Sequence, residues 1–161
     1  MIATWSLFHI SLSSLASLAA RETVSRVAAA GIPISIDAGS PLSIRSYGSV
    51  LTAALGNSKP AILFANEEEA AELTSTGLDR ALSATQFIVK RGSAKTSLYD
   101  AAGVEISLNP EPVKVVDTTG AGDAFAAGFL SAHLRDARPE DFIDAAHAAA
   151  AAAIGIEGPG I

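Results

Sequence analysis

The chain has no cysteine, which excludes a disulfide framework and any thiolate metal site. The cytoplasm is therefore the default expected compartment. Cations are few: 11 Lys and Arg stand against 17 Asp and Glu, for a net charge of −6. Phosphate-backbone binding needs clustered Lys and Arg, so no nucleic-acid partner is expected. No stretch approaches the ~18 uninterrupted apolar residues of a membrane span, so no membrane partner is expected either. The opening "MIATWSLFHISLSSLASLAARE" is apolar and serine-rich, but its first basic residue is Arg21 and His9 interrupts it. A signal peptide has a positive segment ahead of its apolar core, so this stretch is read as part of the fold.

What is present is enough apolar material for a core. Hydrophobic residues make up 49% of 161, which indicates a folded domain rather than a disordered chain. Apolar runs alternate with helical patterns. Strands are predicted at residues 4–10, 32–36, 61–64, in "QFIVKRG" and at 113–116. Helices are predicted over 13–30, with Gly31 as the stop, over 43–55, from near Glu67, over 121–134 and from 139 to about 154. "KTSLYDAAGVEISL" reads as a hairpin turning at residues 101–103. Strands alternating with helices predict a Rossmann-like three-layer α/β/α domain. Its sheet is mostly parallel, with a C-terminal hairpin. The run "AAHAAAAAAIG" reads as a tightly packed helix, because alanine favours helix and lets backbones approach.

Two phosphate-binding motifs are missing. A Walker A loop needs a Gly-Lys pair, and there is none. A dinucleotide fingerprint needs a small residue where Phe125 stands, three after Gly122. What the chain does have is "VVDTTGAGDAFAAGFL", a strand-like run, a glycine turn and a helix start. Gly120 and Gly122 allow a sharp turn, and the first N–H groups of a helix have no partner within it. Amides around Ala121, Gly122 and Asp123 are thus placed to meet an anion. Asp123 has two readings: it stabilises the helix N-terminus, or it accepts a hydroxyl proton beside the anion.

"DTTGAGDAFAAGFL" resembles the C-terminal signature of the ribokinase-like, or PfkB, carbohydrate kinases. The resemblance implies Asp123 as catalytic base and Gly120, Ala121 and Gly122 as the anion hole. It also implies Asp117 and Thr119 as backbone ligands of a monovalent cation, typically potassium. "ANEEEAAEL" resembles the family's N-x-x-E motif, with Asn66 and Glu69 at the nucleotide and Glu69 orienting water on the magnesium ion of MgATP; an acidic first turn suits a helix dipole equally well. "VKRGSAKTSLYD" resembles the strand and glycine turn beside the nucleotide phosphates, with Lys90 and Gly92 at the matching positions. His147 falls where the family often has Asn, near the adenine. "ISIDAGSP" stands in place of a D-P-N-x-R-like segment, keeping Asp37 but with Ala38 and Gly39 for Pro and Asn. Asp37 reads equally well as a strand-end turn residue.

The resemblance covers essentially the whole chain but only the second half of the family. Residues 1–161 are therefore expected to be the nucleotide-binding and catalytic half of a truncated ribokinase-like domain, without its substrate and lid half. The implied activity is ATP-dependent transfer of a phosphoryl group to a sugar or nucleoside alcohol. The isolated chain is expected to be inactive, and either to fold poorly or to associate through an exposed sheet edge, for example as a homodimer. A non-catalytic nucleotide-binding or assembly module is the alternative. A nicotinamide-dependent oxidoreductase shares the α/β pattern but lacks its glycine fingerprint.

Overall fold

The computed structural model describes residues 6–135 and 138–155. The strands are β1 (Phe8–Ser11), β2 (Ile34–Asp37), β3 (Ile62–Asn66), β4 (Gln86–Lys90), β5 (Thr96–Asp100) and β6 (Glu105–Leu108). The helices are α1 (Leu18–Ala29), α2 (Pro41–Leu55), α3 (Glu67–Thr76), α4 (Leu78–Leu82), α5 (Ala121–His133) and α6 (Pro139–Ile154). The six strands form one sheet in chain order, with β1 through β4 parallel. The chain divides into two compact units. The first runs to Lys90 and includes Tyr99–Glu105; the second holds Arg91–Leu98 and the chain from Ile106 on.

In the first unit the strands are apolar on both faces, as parallel strands between helices must be. Ile34, Ile36, Leu63 and Ala65 join Leu12, Leu15, Val24, Ile44, Leu51 and Leu73 in one core. Residues of the opposite parity, Ser35, Ile62, Phe64 and Ile88, are buried as well. α2 starts two residues earlier than the apolar pattern suggests. Ser40 caps it, its Oγ accepting the Ser43 N–H at 3.0 Å, and Pro41 occupies the first turn, where a missing N–H does no harm.

Three expectations need correction. The helix read over 13–30 is two pieces: a 3-10 turn, Leu12–Ala16, and then α1, separated by Ser17 in an extended conformation. Serines bond locally here, Ser11 Oγ to Ser13 Oγ at 3.0 Å and Ser17 N–H to the Ser14 carbonyl at 3.1 Å. Such bonds compete with a continuous helix. The strand read over 113–116 does not form. Pro110 and Pro112 precede it, Val113, Val115 and Val116 are exposed, and the Val116 N–H donates to the Ile154 carbonyl at 2.8 Å instead of to a neighbouring strand. The short helix α4 went unread; its five residues after Gly77 are too few for a helical period to show. Of the strand read over 4–10, the residues before position 6 lie outside the described residues, and β1 begins at Phe8. The hairpin is as expected: Asp100 Oδ1 accepts the N–H groups of Ala102 and Val104, and Gly103 takes a φ of +80°.

In the second unit α5 and α6 pack at very short range. A Cβ on Gly128 of α5 would lie 2.5 Å from the Ala145 carbonyl oxygen of α6. This close approach is what the alanine-rich helix provides. Phe129 and Phe142 meet edge to face at 5.3 Å beside it.

Candidate active site

The side chains singled out in the sequence fall into two sets, one in each unit. In the first, the parallel strands deliver Asp37, Asn66 and Lys90 at their C-terminal ends, with Asn66 in register with Lys90. The C-terminal ends of parallel strands are where open α/β sheets bind ligands. Asn66 and Glu69 form a reciprocal capping box at the start of α3. Asn66 Oδ1 accepts the Glu69 N–H at 2.9 Å, and Glu69 Oε2 accepts the Asn66 N–H at 2.8 Å. Glu69 Oε1 also accepts from Asn66 Nδ2 at 3.0 Å. Glu69 is only 5% exposed. Burial pushes its carboxyl above the usual range, the Asn66 hydrogen bond opposes this, and neighbouring Asp37 adds to the rise. Both oxygens of Glu69 thus already accept one hydrogen bond. The two residues that match N-x-x-E therefore also cap α3.

Lys90 Nζ lies 3.0 Å from Asp37 Oδ2, and both side chains are largely buried. The Asp37–Lys90 pair was not legible in the sequence, because it depends on β2 and β4 flanking β3. Gly92 turns the chain after β4 with φ +58°, a conformation that favours glycine.

In the second unit, Asp117 Oδ1 accepts the Thr119 N–H at 2.8 Å, and Gly120 takes φ +77° as the residue before α5. The Ala121 N–H turns back to the Thr118 carbonyl at 3.2 Å. Of the three amides expected to face an anion, Ala121 is therefore already used. The N–H groups of Gly122 and Asp123 have no acceptor among the described residues; the first helical bond runs from Ala124 to Gly120 at 2.9 Å. Asp123 lies in the first turn, is exposed, and its carboxylate has no hydrogen-bond partner among the described residues.

His147 is half-buried. Its Nε2 lies 2.9 Å from Thr96 Oγ1 and its ring meets Phe125 edge-on at 5.8 Å. Burial holds its pKa below the usual 6.5, and Asp144 acts in the opposite direction. The unfolded chain therefore binds more protons than the folded one as pH falls below about 6.5. Stability should drop with pH in that window, and a His147→Gln variant should lose that part of the dependence in urea titrations at pH above and below it. The segment expected near the adenine beyond residue 155 lies outside the described residues.

No cluster of three His, Cys, Asp or Glu side chains suited to a metal occurs among the described residues. A divalent ion here would depend on phosphate oxygens and water for most of its ligands, which suits magnesium bound to a nucleotide. Among the described residues, no helix is long and apolar enough to cross a membrane.

Known proteins share the sequence family and the fold of this chain. The profile of the pfkB family carbohydrate kinases matches residues 17–161. The ATP-dependent ribose-1-phosphate kinase of Halopiger xanaduensis is 34% identical over 153 residues, which is 93% of this chain and 49% of that protein. The adenosine kinase from Sinorhizobium meliloti superposes with a TM-score of 0.84 at 25% identity, over 98% of this chain and 51% of that one. A putative Ribokinase II from E. coli, solved with ATP and Mg2+, gives 0.78 at 28% identity, over 96% and 54%. The chain spans about half the length of these relatives. A six-stranded mixed sheet with flanking helices, the glycine turn ahead of α5, and a family match over nearly all residues lead to one conclusion: the chain belongs to the pfkB family of carbohydrate kinases.

Proposed function

We propose that this chain is the nucleotide-binding and catalytic part of a kinase that moves the ATP γ-phosphoryl group to an alcohol of a small sugar or nucleoside. The observation that carries the reading is the Asp123 carboxylate beside the Gly122 and Asp123 amides, all three without a hydrogen-bond partner among the described residues. A base next to oriented N–H donors is the pairing that phosphoryl transfer needs. Asp123 takes the acceptor hydroxyl proton onto a carboxylate oxygen. The Gly122 and Asp123 N–H groups, with the open turn at Gly120, hold phosphate oxygens that gain charge. When bound, MgATP supplies the phosphoryl group and a cation that neutralises its charge. Glu69 would hold the magnesium through water, using the lone pairs that the capping box leaves over, with Asn66 beside it at the nucleotide. Lys90 and the Gly92 turn neighbour the phosphates, and His147 lies towards the adenine. Backbone carbonyls at Asp117 and Thr119 would hold a monovalent cation such as potassium.

The test is an ADP-release assay with a panel of sugars and nucleosides. It is run on the 161-residue chain. It is also run on that chain joined to the half of the Halopiger kinase outside the match. Acceptor-dependent release supports the reading; none in either form contradicts it. Glu69→Gln offers a narrower check. Gln keeps one acceptor for the capping box but sets an NH2 against Asn66 Nδ2, so α3 should lose about 1 kcal/mol. Calorimetry should show that ATP affinity loses its magnesium dependence more than its magnitude.

A further inference from the structure

Asp37 is the acidic residue at the C-terminal end of β2 that the turn reading left without a task. Its two oxygens are divided. Oδ1 accepts the Gly39 N–H at 2.9 Å, which fixes the carboxylate against its own turn. Oδ2 accepts from Lys90 Nζ at 3.0 Å. The partners come from strands that are not neighbours: β3 runs between them, with Phe64 in register with both Asp37 and Ile88. The lysine stem therefore crosses the end of β3, and its Nζ lies 6.0 Å from the centroid of the buried Phe64 ring. The side chains of Lys90 and Asp37 are 18% and 16% exposed, so water screens the pair only partly. An ammonium has three donors, and one is spent on Asp37. The other two have no acceptor among the described residues. A lysine stem is flexible, and an unheld ammonium at a strand end samples many positions. Asp37 removes that freedom while leaving donors over.

We infer that Asp37 is a positioning residue: it holds the Lys90 ammonium at the C-terminal edge of the sheet so that its two spare donors meet a nucleotide phosphate. The inference rests on the proposed reading of Lys90 as a phosphate neighbour and adds the residue that makes it effective. Asp37 touches no substrate itself. Its influence on nucleotide binding passes mainly through Lys90, beside its smaller electrostatic effect on Glu69.

That last statement is measurable. Calorimetric MgATP binding is compared for the wild-type chain, Asp37→Asn, Lys90→Met and the double variant, each checked for folding by thermal melting. Asn keeps an acceptor for the Gly39 amide but removes the charge that holds Lys90. Lys90→Met is expected to weaken binding about tenfold, the scale of one charge-assisted contact. Asp37→Asn alone should weaken it about three- to tenfold, and the double variant should bind no worse than Lys90→Met within about twofold. If Asp37→Asn binds like wild type, if Lys90→Met does, or if the two losses add in full, the inference is wrong. A wild-type chain with no MgATP affinity overturns the functional reading as well. A wild-type chain that binds, with Lys90 sensitive and Asp37 not, overturns this inference alone. If Asp37→Asn does not fold, Asp37→Glu against Asp37→Gln gives the same contrast of charge: Glu should bind more tightly, and equal binding contradicts the inference.

Discussion

Asp123→Asn is expected to lower kcat by about 10²–10⁴-fold, the range of a general base, and to leave ATP affinity within about twofold. An amide has nearly the volume of a carboxylate but cannot take up the hydroxyl proton. The groups assigned to the phosphates near it are backbone N–H groups, which the substitution keeps. Fold stability should change little. Asp123 is exposed and has no side-chain partner among the described residues, so its only structural contribution is charge at the start of α5. That contribution is about 0.3–1 kcal/mol. A large fall in kcat would therefore not reflect unfolding, which a urea titration of the variant checks. Steady-state kinetics in whichever form turns over decide the matter. Unchanged turnover would leave Asp123 as a helix-start stabiliser and nothing more.

Gly128→Ala should destabilise the second unit, although alanine is the better helix former. The added Cβ would lie 2.5 Å from the Ala145 carbonyl oxygen and 2.8 Å from the Ala149 Cβ. A backbone oxygen within α6 cannot rotate away, so the helices must separate. Overpacking costs about 1–3 kcal/mol and helix propensity returns about 1, so a net loss of up to about 2 kcal/mol is expected. Urea denaturation should show a lower midpoint with an unchanged slope. Gly48→Ala makes a useful contrast. Its Cβ would meet Leu78 Cδ2 at 2.8 Å, the free end of a side chain that can change rotamer, so its loss should be smaller. Equal stability of Gly128→Ala and wild type would show that α5 and α6 have room to give. Because Asp123 stands on α5, the close packing at Gly128 also fixes the helix that carries the proposed base.

Local signals were legible where one short stretch carries the whole reason. The Asp-Thr-Thr-Gly-Ala-Gly-Asp run specifies a turn at Gly120 and a helix start at Ala121 within a few residues, and both are present. The acidic first turn of α3 at Glu67, Glu68 and Glu69 was legible, whereas the capping box of Asn66 and Glu69 went unread although its spacing permits it. The alanine run of α6 signalled close packing, although the sequence could not say that Gly128 is what it packs against. Failures came where a non-local partner decides. Residues 113–116 have a strand's composition, but the Val116 amide finds the end of α6 and the exposed valines find no sheet. One failure is local: the Ser13 hydroxyl bonds to Ser11 and the Ser17 N–H to the Ser14 carbonyl where the chain breaks what apolar spacing presents as one helix. Asp37 and Lys90 are 53 residues apart, and only the order of strands around β3 brings them to 3.0 Å. His147 likewise takes its partner, Thr96, from a strand 51 residues away.

The central claim is that ATP phosphates are held by the open turn before α5, and amide NMR of the folded chain during an ATP titration tests it most directly. The Gly122 and Asp123 N–H groups have no acceptor among the described residues, whereas the Ala121 N–H is already bonded to Thr118. Saturating MgATP should therefore shift the Gly122 and Asp123 resonances strongly downfield, with Gly120 following as the turn adjusts and Ala121 moving less. Resonances of Gly122 and Asp123 that stay in place while ATP saturates the chain would contradict the account.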